Sequence, residues 1–254
     1  MSETLFSAGR PNIFLTSFFR SGSTHVKETL LRIMPGYSSS TTVYSAGGLG
    51  NDDTNVNLFA AQVLFPLGAQ VFHQHSPGTC GNVTMLSRYQ MRPIVQMRNI
   101  LDSMVSIREL LATGKPQHIG VYYPEHFEEL SEEQQLWWVA KVLPQWYFTF
   151  YLSWKKADIP THFLWYDEYY KDQVAGMRKI LDHTGLSQIG SVSDDVIRAA
   201  SQVIDPALSR FKFGRPGRGR EILSPEMVQS IKDSAMAWPE GKELIEQLVE
   251  RGYA

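Results

Sequence analysis

Cysteine is nearly absent from this chain: Cys80 is the only one among 254 residues. A lone thiol excludes an internal disulfide and argues against a cysteine-based zinc site, so no metal centre is expected and a reducing, cytoplasmic location fits. Apolar runs are short, and none approaches the ~20 residues that a membrane span needs. The opening residues Met1-Ser-Glu-Thr-Leu-Phe-Ser7 lack the basic start and apolar stretch of a signal peptide. Charge of either sign is not in excess, with a net charge of −2. That balance argues against general nucleic-acid binding, and any anion site has to be a local basic cluster. Internal repeats and low-complexity tracts are missing as well. At 43% hydrophobic residues the chain suffices for one sizeable core, and a single domain over 1–254 is expected.

What is present begins near the start. Ile13, Phe14, Leu15, Phe18 and Phe19 form a β-prone apolar run between Pro11 and Gly22. From Thr24 the period changes, with Val26, Leu30, Ile33 and Met34 on one helical face and Pro35-Gly36 as the stop. Between them lies Arg20-Ser21-Gly22-Ser23-Thr24, followed by His25. Gly22 permits close approach of a ligand to the backbone, Ser23 and Thr24 offer hydroxyls, and the first amides of the helix point outward. This is an anion-binding nest with Arg20 as a fixed charge, or else an ordinary capped turn. The nucleotide-triphosphate loop G-x-x-x-x-G-K-[ST] is not matched, because one glycine and no following lysine are present.

Along the chain, residues 36–54 read as a long Ser/Thr/Gly/Asn-rich loop, and Val56–Leu64 as a short helix. Ala69–His75 reads as a second strand, Asn82–Tyr89 as a helix, Pro93–Met97 as a third strand and Ile100–Ala112 as a helix. Ser131-Glu-Glu-Gln134 is a capping box opening a long helix towards Trp154, with Pro144 expected to kink or break it. Its aromatic stripe is core, or a substrate wall. Thr161–Tyr166 reads as a fourth strand, then one helix over Glu168–His183, another over Asp194–Val203, a basic glycine-containing segment over Arg210–Arg220, a helix opened by Ser224-Pro and a last helix over Glu240–Arg251. Strands alternating with helices predict an α/β fold: a central parallel β-sheet flanked by helices on both sides, a P-loop-like three-layer sandwich. Ligands of such sheets bind beyond the C-terminal strand ends. Arg20, His75, Arg98 and Tyr166 each stand at the end of a predicted strand. Arg98 and Ser106, from the helix that follows, can pinch one phosphate, since the guanidinium fork makes two parallel charge-assisted bonds. Pairing of Arg98 with Asp102 is the alternative.

These residues resemble a family. Arg20-Ser-Gly-Ser-Thr24 after one strand and Arg98-Asn-Ile-Leu-Asp-Ser-Met-Val-Ser106 after another look like the two nucleotide-binding signatures of the sulfotransferases, which use 3′-phosphoadenosine-5′-phosphosulfate (PAPS) and release 3′-phosphoadenosine-5′-phosphate (PAP). The resemblance implies that Arg20, Ser21, Gly22, Ser23, Thr24 and His25 hold the 5′-phosphosulfate and that Arg98 and Ser106 hold the 3′-phosphate. His73-Gln-His75-Ser-Pro77 resembles the strand-end segment whose histidine is the catalytic base, implying that role for His75, with His73 as a neighbour able to tune or replace it. Tyr166-Asp-Glu-Tyr169 is similar to the motif whose tyrosine contacts adenine. Lys212-Phe-Gly214-Arg-Pro-Gly217 resembles the basic segment that closes over the 3′-phosphate, implying Lys212, Gly214 and Arg218 as ligands, or a solvated loop.

The chain departs from the family pattern in three places: Ile100 stands where proline is usual, Arg218-Gly-Arg-Glu221 replaces Asp-Trp-Lys-Asn, and Arg20 replaces a common lysine. Arg20 can supply charge but no proton. The implied activity is sulfuryl transfer to a hydroxyl of a small-molecule or saccharide acceptor, with no nucleic-acid or membrane partner. A nucleotide kinase would need a loop lysine and an acidic Mg²⁺ ligand. A catalytically inactive nucleotide-binding protein is the third reading, and the base-like His75 argues against it.

Overall fold

The structure is a computed structural model that describes residues 11–40, 56, 69–114, 123–188, 192–203 and 215–252. The helix expected over 56–64, most of the loop expected over 36–54, and the positions of Lys212 and Gly214 lie outside the described residues. Among the described residues, five strands form one all-parallel sheet: β1 (Ile13–Ser17), β2 (Ser38–Ser40), β3 (Gln70–Gln74), β4 (Pro93–Met97) and β5 (His162–Trp165), in the order β2-β3-β1-β4-β5. The fold is therefore α/β. The short edge strand β2 went unread in the sequence because three serines carry no apolar alternation.

The chain divides into two compact units. Unit 1 comprises Met1–Ser17, Gly22–Met97 and Ser153–Gly214, and unit 2 comprises Phe18–Ser21, Arg98–Leu152 and Arg215–Ala254. Unit 1 holds the whole sheet together with α1 (Ser23–Ile33), α2 (Cys80–Arg88), α5 (Tyr166–Lys171), α6 (Gln173–His183) and α7 (Asp194–Gln202). Alternate strand residues Ile13, Leu15, Val71, Ile94 and Leu164 meet Val26, Leu30 and Ile33 of α1, Met177, Ile180 and Leu181 of α6, and Ile197 of α7. Each such fully buried side chain contributes about 1.5–3 kcal/mol relative to exposure. On the opposite face, Phe14 meets Trp154, ring centroids 6.5 Å apart, so the sheet is covered on both faces, as all-parallel sheets require.

Two expected helices differ in detail. The one expected over 168–183 is two, because Asp172 leaves helical geometry and its carboxylate caps α6 by accepting from Ala175 N–H. The one expected to be kinked or broken at Pro144 is not broken there: α4 runs without interruption over 24 residues, Glu132–Lys155. Its capping box forms as read: Ser131 N–H donates to Gln134 Oε1 (2.9 Å), and Gln134 N–H to Ser131 Oγ (3.2 Å).

Unit 2 contains α3 (Ile100–Leu111), α4 through Leu152, α8 (Arg218–Ile222), α9 (Pro225–Met236), α10 (Gly241–Leu244) and a π-helical stretch over Ile245–Glu250 where a plain α-helix was expected. The aromatic stripe of α4 is core over its later turns, whereas Trp137 and Trp138 are half-buried and Val142 is exposed. Tyr147 and Phe148 are fully buried, and Phe18 packs edge-on against Trp146 and Tyr147 with centroids 4.7 and 4.2 Å apart. Asn99 caps α3 through Oδ1 and donates two bonds from Nδ2 to the carbonyls of Val249 and Arg251, tying down the chain's last helical stretch. Among the described residues, no helix is long and apolar enough to cross a membrane.

Candidate active site

Because β3, β1, β4 and β5 run parallel side by side, their C-terminal ends lie on one edge of the sheet. In unit 1 that edge carries the turn into α1. Gly22 caps the helix with φ of 85°, and no side chain takes the cap. A Cβ on Gly22 would sit 2.7 Å from the Tyr166 ring, so Tyr166, at the start of α5, packs directly over the turn and only glycine fits beneath it. Thr24 is exposed and Ser23 buried. Uncapped first-turn amides and the helix dipole favour an anion here.

Four side chains form a hydrogen-bonded string beside this turn. His73 Nε2 lies 2.8 Å from Ser23 Oγ, Ser17 Oγ donates to Ser23 Oγ (2.8 Å), and His75 Nδ1 is 3.2 Å from Ser17 Oγ. His75 Nδ1 also lies 2.8 Å from the Ser17 carbonyl. A carbonyl only accepts, so that contact places the proton on Nδ1 and makes Nε2 the acceptor nitrogen of the ring. The chain around His75 is held from behind: the Ser76 carbonyl accepts from Thr16 Oγ1 (2.8 Å) and from the Trp154 indole (2.9 Å). His73 differs. Burial, then His75 and Lys27, push its pKa down to about 3, so it stays uncharged at neutral pH and is a weak base.

His25 points elsewhere. Its Nε2 donates to the Ser201 carbonyl (2.9 Å) and its Nδ1 lies 3.2 Å from the Tyr169 hydroxyl. Burial raises the Tyr169 pKa to about 12, so the phenol remains a donor. Both ring nitrogens of His25 thus serve the packing of α1 on α5 and α7.

Unit 2 brings together Arg20, Arg98 and Ser106. Arg20 Nε donates to Ser106 Oγ (3.0 Å), and Arg98 Nη1 donates to the Arg20 carbonyl (3.3 Å). Arg20 has φ of 63°, a left-handed conformation uncommon for a non-glycine residue. The backbone of Arg98 is held by the Tyr147 phenol, which accepts from Arg98 N–H (3.2 Å) and donates to the Arg98 carbonyl. Burial raises the Tyr147 pKa above the usual phenol range. Arg98 Nε stands 3.7 Å from Asp102 Oδ2, so the ion pair and the Arg20–Ser106 contacts coexist. Ser21 is buried in the same unit. Arg218 directs its fork at Glu109, with Nη2 2.5 Å from Oε1, and would have to leave that carboxylate to reach an anion.

Sequence reasoning missed Ser17, Thr16, Tyr147 and Trp154. Ser17 could have been found, since a polar residue closing an otherwise apolar strand is itself a signal. The other three act through bonds to distant backbone that no local pattern encodes.

No protein-family model and no curated relative matches the sequence. Solved structures do resemble it. A mouse sulfotransferase complexed with PAP superposes with a TM-score of 0.66 at 18% identity, covering 96% of this chain and 94% of that one. The chain has the sulfotransferase fold. A sulfotransferase from Mycobacterium avium aligns with a TM-score of 0.53 at 12% identity, over 91% of this chain and 77% of that one. A sulfotransferase from Alicyclobacillus acidocaldarius aligns with a TM-score of 0.50 at 15% identity, over 96% and 97%.

Proposed function

We propose that this protein is a PAPS-dependent sulfotransferase, of one domain over 1–254, that moves the sulfuryl group to a hydroxyl of a small-molecule or saccharide acceptor with His75 as general base. The observation that carries the reading is the tautomer of His75: an Nδ1–H held by the Ser17 carbonyl at 2.8 Å leaves Nε2 to take a proton, beside a helix-capping glycine turn suited to an anion. The residues fit the donor. The uncapped amides at Gly22–Thr24 suit the 5′-phosphosulfate, and Arg20, Arg98 and Ser106, already mutually bonded in unit 2, suit further phosphate charge. Tyr166 is read as the adenine contact, and Lys212, Gly214 and Arg218 as closing ligands, Arg218 only on release from Glu109.

PAPS supplies an activated sulfuryl group whose leaving oxygen belongs to a phosphate. His75 Nε2 takes the acceptor's proton as the acceptor oxygen bonds to sulfur and the sulfur–oxygen bond to that phosphate breaks, leaving PAP. Arg20 offsets the charge on the departing oxygen without giving up a proton. His73 and Ser17 keep the hydroxyl of Ser23 in place.

Thermal shift tests the reading: PAP should stabilise the protein more than ATP with Mg²⁺, and labelled PAPS should pass its sulfuryl group to a hydroxyl acceptor. Preference for ATP with Mg²⁺ would reject it in favour of a phosphotransferase. PAP binding with no transfer to any acceptor would leave an inactive nucleotide-binding protein.

A further inference from the structure

Asp102 lies in the first turn of α3 with its side chain 1% exposed, and two backbone donors and one ion-pair partner converge on it within unit 2. Gly219 N–H donates to Oδ1 (2.7 Å), Gly217 N–H donates to Oδ2 (3.0 Å), and Arg98 Nε lies 3.7 Å from Oδ2. Burying a carboxylate is costly unless donors such as these replace its water. The two amides belong to the turn that opens α8, which has no side-chain cap of its own. The carboxylate of another helix therefore takes the place of an N-cap.

The turn is shaped for this contact. Gly217 has φ of 100°. A Cβ on Gly219 would stand 2.3 Å from the Leu101 carbonyl carbon and 2.6 Å from Asp102 N, so backbone meets backbone and any side chain would lift the turn off α3. Between the two glycines, Arg218 reaches Glu109, two helical turns beyond Asp102 on the same face of α3. The two acidic residues of α3 thus hold both the backbone and the side chain of this segment.

We propose that Asp102 is a positioning residue: one buried carboxylate that fastens the Gly217–Gly219 turn to α3 and aligns the Arg98 guanidinium, so that the segment carrying Arg215, Arg218 and Arg220 and the arginine after β4 respond together to a bound anion. The alignment half rests on the function proposed above; the fastening half does not.

The test uses the full chain with D102N, isosteric but unable to accept both amides and the guanidinium. Hydrogen exchange of a peptide spanning 215–223, without nucleotide, should speed up by about 10-fold or more. PAP affinity by calorimetry should fall by about 10-fold, and the losses of D102N and R98K should be strongly non-additive in PAP affinity. G219A reaches the same turn from the other side and should speed the same exchange with Asp102 intact, which covers the case of a D102N chain that does not fold. Unchanged exchange at 215–223 in the D102N or G219A chain overturns the fastening, and additive losses overturn the alignment. Wild-type protein that binds no PAP overturns the function proposed above and the alignment with it, while exchange still decides the fastening.

Discussion

The two ends of the sheet in unit 1 each carry a histidine pair, and the spacing is nearly the same: 5.8 Å between the rings of His73 and His75, and 5.6 Å between those of His162 and His183. Their bonding separates them. At the C-terminal end, His73 and His75 are strung onto Ser23 and Ser17 beside the glycine turn. At the N-terminal end, His183 Nε2 donates to the Pro93 carbonyl (3.2 Å) and His162 Nε2 is buried with no hydrogen-bond partner. One pair is bonded to serine hydroxyls beside the turn; of the other, His183 is engaged by a backbone carbonyl and His162 Nε2 is packed without a hydrogen bond. A histidine count therefore marks both ends alike, whereas the partners of the ring nitrogens mark only one, the end at which parallel sheets bind ligands.

Four measurements break or sharpen that contrast. The largest effect is expected from His75→Ala, which should lower sulfuryl transfer by ~10²–10⁴ with PAP affinity little changed; His162→Phe should leave transfer at the wild-type rate. Equal losses in the two variants would erase the distinction between the ends. Next is Gly22→Ala. A left-handed φ combined with a Cβ 2.7 Å from the Tyr166 ring should cost about 1–3 kcal/mol of stability, read in denaturant unfolding, and should weaken PAP binding further.

Smaller is His73→Leu. Removing the ring partner of Ser23 should cost about 1–2 kcal/mol in PAP affinity while the acidic limb of the pH–rate profile, which reports the general base, stays where it was, because His73, held near a pKa of about 3, is not the group that titrates there. A shifted limb would make His73 the base.

The smallest effect is on acid stability. Burial, then His183 and Lys179, lower the His162 pKa to about 4. The folded value lies below the unfolded one, near 6.5, so the unfolded chain binds more protons between these limits. The stability tied to a neutral His162 is then fully present above pH ~6.5 and declines as pH falls towards 4. His162→Phe should gain melting temperature over the wild type at pH 5 relative to pH 8. An equal difference at both pH values would remove His162 from the linkage.

Much of the site's scaffold was legible. The switch from apolar run to helical spacing at Gly22 marked the β1–α1 turn, and Pro93–Met97 followed by Ile100–Ala112 marked β4 and α3. Asp172 and Ser38–Ser40 were misread, and the break allowed for at Pro144 does not occur, for one shared reason. A cap inside a helical pattern, a polar edge strand and a proline within a long buried helix are each decided by neighbours across space rather than along the chain. The resemblance grouped His25 with the anion turn, yet its bond runs to Ser201, 176 residues away.

The sequence by itself determined where strands and helices alternate and which residues close each strand, because side-chain periodicity, glycine turns and capping residues act within a few positions. Tertiary structure alone decided which nitrogen of His75 carries the proton, why His73 stays uncharged, and that Asp102 receives amides 115 and 117 residues further on. Proton placement and carboxylate satisfaction depend on donors, acceptors and burial delivered by distant segments, and those exist only once the chain has packed.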